Sequence, residues 1–187
     1  MVKNLIYNLM LQEFIVYACP VGELNNQLEQ YFTTTRAECS ENAAHKYMPH
    51  CTLTGFFHDQ LTAVPIYIQA LDTALKNARN KSPSPPIVVV NMELKTDFHY
   101  LQLKSIWLEK LIANFANIAN SKTRIDELRL KNNLHLSLAY KFPSEQQQTL
   151  AKIAKKIINS QAEVLWELRF YERHPNNSWT CHQSWKL

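Results

Sequence analysis

Two short stretches of the 187-residue chain combine side chains that can move protons with side chains that can hold an anion. Pro49-His50-Cys51-Thr52-Leu53-Thr54 and Leu134-His135-Leu136-Ser137-Leu138-Ala139 both contain the pattern His-x-Ser/Thr-Leu. An imidazole with an ordinary pKa near ~6.5 accepts or donates a proton around neutral pH, and a nearby hydroxyl can donate a hydrogen bond to a developing oxyanion. If both stretches are strands, side-chain alternation puts His50 with Thr52 on one face and Cys51 with Leu53 on the other. His135 and Ser137 likewise face away from Leu134, Leu136 and Leu138. The apolar faces are the ones to bury, so each imidazole and hydroxyl pair points into a cleft or solvent. One such triplet arises by chance, and a lone strand histidine is usually structural. Two copies, 85 residues apart, each followed by aromatics (Phe56 and Phe57; Tyr140 and Phe142), point to an internal duplication with one shared site between the halves.

Other chemistries fit less well. His45, His50, Cys51, Cys181 and His182 are metal-ligand types, but His50 and Cys51 point to opposite faces and no pair has finger-like spacing, so no metal is expected. Cys51 as a nucleophile fails on the same parity, because a small thiol on a core face is an ordinary apolar occupant. His45, His58, His99, His174 and His182 are expected on the surface or in loops, with no evident partner. Phe57, Tyr100, Tyr140 and Trp179 are candidates to stack a nucleobase, although a core role is the plainer reading of each. Lys141 shares the parity of His135 and Ser137, which makes it either a phosphate contact or an ordinary edge lysine.

The elements that must position these residues follow from hydrophobic period. Strands are expected over 14–18 and 49–57, with a helix over 22–37 between them whose inner face is Leu24, Leu28, Tyr31 and Phe32. Thr62 is the expected N-cap of a helix reaching 78. The run Ser82-Pro83-Ser84-Pro85-Pro86 continues neither helix nor central strand and marks the joint between halves of about 13–80 and 87–187. Beyond it the pattern predicts a hairpin over 87–94 and 99–103. A helix follows over 106–120, with Leu108, Leu111, Phe115 and Ile118 inward. Next come a strand over 134–142, a helix from Pro143-Ser144 with Leu150, Ile153, Ala154, Ile157 and Ile158 buried, and strands over 164–171 and 180–186.

Length and a 46% hydrophobic content suit one well-cored domain over 1–187. The two glycines, Gly22 and Gly55, exclude the dinucleotide fingerprint, the P-loop and the GxSxG elbow, all of which need closely spaced glycines. A formal charge of +4 suits an anionic substrate but falls short of a duplex-binding surface. Four dispersed cysteines without a CxxC pair fit reduced thiols and a cytoplasmic location. No apolar run reaches the roughly 18 to 20 residues of a membrane span. The start of the chain imitates a signal peptide, but Asn4, Asn8, Gln12 and Glu13 interrupt it, so export is not expected.

The two motifs, their separation and the strand order resemble the two-histidine (2H) phosphoesterase superfamily, which includes the LigT-like RNA cyclic phosphodiesterases. The resemblance is strongest to the 2H domain of the T-cell ubiquitin ligand proteins. It rests on Pro49-His50-x-Thr52-Leu53 with Phe56-Phe57, on Leu134-His135-Leu136-Ser137-Leu138-Ala139-x-Lys141-Phe142, and on Gln148-Thr149-Leu150 in the next helix. The ubiquitin-binding, SH3 and histidine-phosphatase modules of those proteins find no room here, so a role in immune signalling is not expected to transfer.

The resemblance implies a bilobal α+β fold, with two antiparallel sheets in pseudo-two-fold symmetry around a central cleft and helices outside. It implies catalytic His50 and His135, with Thr52 and Ser137 binding phosphate. The implied reaction is metal-independent opening of 2',3'-cyclic phosphates on nucleotides or RNA ends, with no cofactor. His135 is then the base and His50 the acid, an order that near symmetry leaves reversible. Two alternatives share the residues: a phosphodiesterase for 2'-5'-linked or cyclic oligonucleotides, and a non-catalytic RNA-end or nucleotide-binding module. The expected partner is an RNA 3' end or a small nucleotide bearing a cyclic phosphate. A monomer with no membrane and no obligatory protein partner is expected.

Overall fold

Seven consecutive buried residues, 14–20, lie in strand β1 (Leu11–Val21). An unbroken apolar run of this kind belongs to a strand covered on both faces. Phe14, Val16 and Ala18 join the main core, while Ile15, Tyr17 and Cys19 join a smaller cluster on the opposite face with Tyr171. The structure is a computed structural model describing residues 11–81 and 87–187. The expected joint at 82–86 and the stretch before residue 11 lie outside the described residues.

Gly22 ends β1 in the left-handed region (φ 81°), a conformation glycine adopts without a Cβ penalty, and helix α1 (Glu23–Cys39) starts there. The remaining strands are β2 (Cys51–Thr52), β3 (Phe57–Gln60), β4 (Val88–Leu94), β5 (Phe98–Lys104), β6 (His135–Tyr140), β7 (Leu165–Arg173) and β8 (Trp179–Lys186). The remaining helices are α2 (Val64–Lys81), α3 (Ile106–Ile118) and α4 (Gln147–Ile157). Eight strands form one open antiparallel sheet in the order β4-β5-β6-β2-β1-β7-β8, with β3 paired to β1 beside β2. The architecture is α+β with an eight-stranded antiparallel sheet, consistent with a 2H phosphoesterase fold. The two expected sheets are the wings of this one sheet, joined where Cys51 of β2 pairs with Leu136 of β6. β7 and β8 return to β1, so the wings are not simply the first and second halves of the chain.

One hydrophobic core lies between the sheet and the helices. It draws Leu28 from α1, Leu71 from α2, Leu108 from α3, Leu136 from β6 and Leu150 from α4. α1 packs on α4, and α2 on α3. Ser105 caps α3, its Oγ accepting from the Leu108 N–H at 3.2 Å. Leu108, Leu111 and Phe115 point inward, but Ile118 in the last turn is exposed.

Two local expectations change. Thr62 is not a helix cap: a 3-10 turn (Leu61–Ala63) precedes α2, and the Thr62 hydroxyl donates to Gln60 Oε1 at 3.4 Å. Pro65 then falls in the first turn of α2, where its missing N–H costs no helical bond. The expected strand over 49–57 breaks in two. Tyr17 pairs with Thr52 but Phe14 pairs with Phe57, so three steps along β1 face five steps along the other chain. The surplus residues arch out: the Leu53 and Thr54 N–H groups converge on the Val16 carbonyl of β1, and segment 129–131 meets the other side of the arch. Gly55 N–H donates to the Arg129 carbonyl at 2.6 Å, Lys131 N–H to the Leu53 carbonyl at 3.0 Å, and Thr54 bridges Leu130.

Candidate functional site

The single β2–β6 pairing decides the geometry of the site. Antiparallel register around Cys51 and Leu136 sets His50 opposite Ser137 and Thr52 opposite His135. Each imidazole therefore has the other motif's hydroxyl across from it. The two histidines are diagonal neighbours on one face, a relation that places Cα atoms roughly 7–8 Å apart. The side-chain parity agrees with this arrangement. Cys51, Leu53, Leu134, Leu136 and Leu138 are buried in the main core, while His50, Thr52, His135 and Ser137 line a cavity of about 560 Å³ on the opposite face. Burial pushes the Cys51 thiol up to about 12, the condition of a packed thiol and not of a nucleophile.

Both rings are anchored in the same way. His50 Nδ1 lies 2.7 Å from the Met48 carbonyl, and His135 Nδ1 lies 3.0 Å from the Asn133 carbonyl. A carbonyl only accepts, so each Nδ1 carries the proton and each Nε2 is left to receive or deliver one. The surroundings differ. His50 lies against Tyr17, with ring centroids 3.9 Å apart, and Tyr47 stands at 5.6 Å. Burial pushes its pKa down to about 4, the Met48 carbonyl opposes the shift, and nearby His135 adds to it. His135 is met edge-on by Phe98 at 5.4 Å and Tyr100 at 5.7 Å.

Several expected contacts fall elsewhere. Phe57 does not reach the cavity: it is fully buried in the core, stacked on Phe170 at 6.4 Å, on the odd-numbered face it shares with Cys51 and Leu53. Its neighbour Phe56 lines the cavity instead. Tyr140 lines the cavity as well. Tyr100 touches the His135 ring and stacks on Phe98, but is not itself part of the lining. Lys141 adopts φ 55° as β6 ends, so strand parity stops before it, and it is exposed outside the lining. Trp179 stacks on Phe56 at 6.2 Å.

Four of the five other histidines have partners. His45 completes a capping box with Asn42 and contacts Thr35 Oγ1 at 3.0 Å. His58 pairs with Asp126 at 2.6 Å, while His174 and His182 both meet Glu172. His99, expected at the surface, is fully buried on the core side of β5 against Phe142 at 5.0 Å, and burial lowers its pKa.

Arg129 and Lys131 also line the cavity, as does Tyr17. None of the three carried a motif in the sequence. The alternation Arg129-Leu130-Lys131 is the one signal that could have indicated a short extended segment. A larger hollow of about 750 Å³ between α2 and α3 offers Lys81, Lys104 and Lys110 but, among the described residues, no histidine or carboxylate. Among the described residues no helix is long and apolar enough to cross a membrane.

Known proteins similar to this chain carry two kinds of name. Ubiquitin-associated and SH3 domain-containing protein B of Mus musculus is 31% identical over 151 residues, covering 78% of this chain and 23% of that protein. Ecdysteroid-phosphate phosphatase of Drosophila melanogaster is 30% identical over 199 residues, covering 88% of this chain and 26% of that protein. The Bombyx mori protein of the same name is 25% identical over 181 residues, covering 94% and 26%. The chain thus spans about a quarter of the length of these relatives. No family model matches it.

Proposed function

This chain belongs to the two-histidine (2H) phosphoesterase superfamily, and we propose that it opens 2',3'-cyclic phosphates on nucleotides or RNA ends without a metal. The observation that carries this reading is the pair of imidazoles whose Nδ1 atoms are spoken for by carbonyls, leaving two Nε2 atoms beside two hydroxyls in one cavity. A binding module needs no two proton-transfer groups.

In the proposed reaction a water attacks phosphorus from one side and a ribose oxygen leaves from the other. His135 Nε2 takes the water's proton as the new P–O bond forms. His50 Nε2–H gives its proton to the departing oxygen as the old bond breaks, and solvent exchange restores both rings. Thr52 and Ser137 donate hydrogen bonds to the non-bridging oxygens as charge builds there. The partly buried His50 is a weak proton acceptor, and its low pKa makes it a ready donor once protonated. The negative charge of a bound phosphate favours bringing that proton in.

The relatives' names describe proteins of which this chain covers about a quarter, so neither ecdysteroid phosphates nor ubiquitin association is carried over. The test is incubation with a panel of 2',3'-cyclic nucleotides, before and after prolonged EDTA treatment and dialysis. Conversion to one phosphomonoester that survives chelation is expected. No turnover, or loss that zinc restores, would overturn the reading.

A further inference from the structure

Among the described residues the cavity wall contains no carboxylate, and its basic side chains are Arg129, Lys131, His50 and His135. Thr52, Ser137 and the two histidines stand together on the floor formed by β2 and β6, which is where the proposed reaction places the cyclic phosphate. Arg129 and Lys131 come from a separate wall. Segment 121–131 runs beside residues 53–60 and is pinned along its length. Thr123 donates to buried Asp59 at 2.5 Å, Ile125 N–H donates to the His58 carbonyl at 3.2 Å, and Asp126 accepts from the His58 backbone N–H at 2.7 Å.

Bonding of the Arg129 carbonyl and the Lys131 N–H to the arch after Thr52 then aims two cations, two residues apart, at one cavity. The Arg129 guanidinium lies over bare Gly55, where a Cβ would come within 3.2 Å of Nε and Nη2. One of its N–H groups donates to the Phe56 carbonyl at 3.4 Å, which leaves most of its five donors for a ligand. Asp126, which senses Arg129, is itself held by His58.

We infer that Arg129 and Lys131 form a subsite for a second phosphate, so that the preferred substrate is a cyclic phosphate carrying another phosphate on its 5' side. The inference deepens the proposed activity and rests on its placement of the cyclic phosphate. Two sources supply the same chemistry: the internucleotide phosphate of an RNA 3' end, or a 5'-phosphate on a single nucleotide.

The experiment compares kcat/KM for a nucleoside 2',3'-cyclic phosphate, its 5'-phosphorylated form, and a dinucleotide ending in the same cyclic phosphate. The wild type is expected to favour at least one phosphate-bearing form by about tenfold, the scale of one charge-assisted hydrogen bond. The favoured arm identifies the source. Arg129→Gln and Lys131→Gln should each reduce that ratio, chiefly through KM, and added salt should shrink it as well. Equal kcat/KM for all three substrates, or a ratio unmoved in both variants, would overturn the subsite.

Equilibrium dialysis of a nucleoside 3',5'-bisphosphate against the 3'-monophosphate reads the same subsite without turnover. Tighter binding of the bisphosphate, with the preference lost in the Arg129→Gln/Lys131→Gln double variant, supports it, and equal affinities refute it. If cyclic substrates are not opened while that preference persists, the proposed chemistry fails and the subsite stands.

Discussion

The two motif strands are near copies in sequence and unequal in surroundings. His50 sits under the face of Tyr17, in a position where burial lowers its pKa to about 4. His135 has the same carbonyl anchor but is bordered by ring edges, Phe98 and Tyr100, on the wing beyond β2. β1 causes much of the difference. It is covered on both faces and presents Tyr17 to β2, whereas β5 presents its aromatics from an outer position in the sheet. A repeated motif thus places two imidazoles in different surroundings, because the neighbouring strand and not the motif sets the polarity around each ring.

The most severe way to break the comparison is to remove each ring. His50→Ala and His135→Ala should each lower cyclic phosphodiesterase activity by roughly 100- to 10,000-fold, the usual scale for a general acid or base, with cooperative thermal melts retained. A substrate whose leaving group needs no proton, such as bis(p-nitrophenyl) phosphate, should separate the roles. His50→Ala should recover part of its loss on that substrate and His135→Ala should not, and the opposite result would exchange acid and base. Thr52→Ala and Ser137→Ala remove single hydroxyl donors and should each cost less than either histidine variant on the same substrates.

A smaller effect follows from the depressed His50 pKa. The fold favours the neutral ring, so between pH ~6.5 and about 4 the unfolded chain binds more protons than the native protein. The corresponding stability is fully present above ~6.5 and is lost as pH falls toward 4, by up to about 3 kcal/mol, with residual solvent contact reducing it. Urea unfolding at pH 7.5 and 4.5 should show this loss in the wild type and a reduced one in His50→Gln. Equal pH dependence in the two proteins would place the titration elsewhere.

The parts of the site that the sequence revealed are those governed by a two-residue period. The core face of Cys51, Leu53, Leu136 and Leu138, and the opposite face of His50, Thr52, His135 and Ser137, follow from alternation alone. Lys141 departs from it where alternation stops, at the left-handed end of β6, whereas Phe57 obeys it and belongs to the core face of Cys51 and Leu53. Arg129 and Lys131 carry only the brief alternation Arg129-Leu130-Lys131, because their segment has no sustained hydrophobic period. Backbone bonds to the arch and the Asp59 and His58 contacts hold it in place, and these are long-range features. The charge pairs of His58 and His182 have the same origin, since their carboxylate partners become neighbours only through loop docking or strand pairing, whereas Glu172 and His174 are two residues apart in sequence.

The finest probe of the difference between the two histidines is Tyr17→Leu. Leucine keeps an apolar residue on β1 but removes the flat ring 3.9 Å from His50, opening part of the imidazole to water. Desolvation is the leading cause of the low pKa, so the His50 titration should rise from about 4 by roughly one unit, worth about 1.4 kcal/mol between the two protonation states. NMR titration of the ring Cε1–H resonances reads this directly. Adding inorganic phosphate should raise the wild-type His50 value as well, because a bound anion stabilises the imidazolium. If Tyr17→Leu leaves the titration at its wild-type position, the low value comes from the backbone around Met48 and from His135, and the inequality of the two histidines belongs to the β2–β6 pair itself.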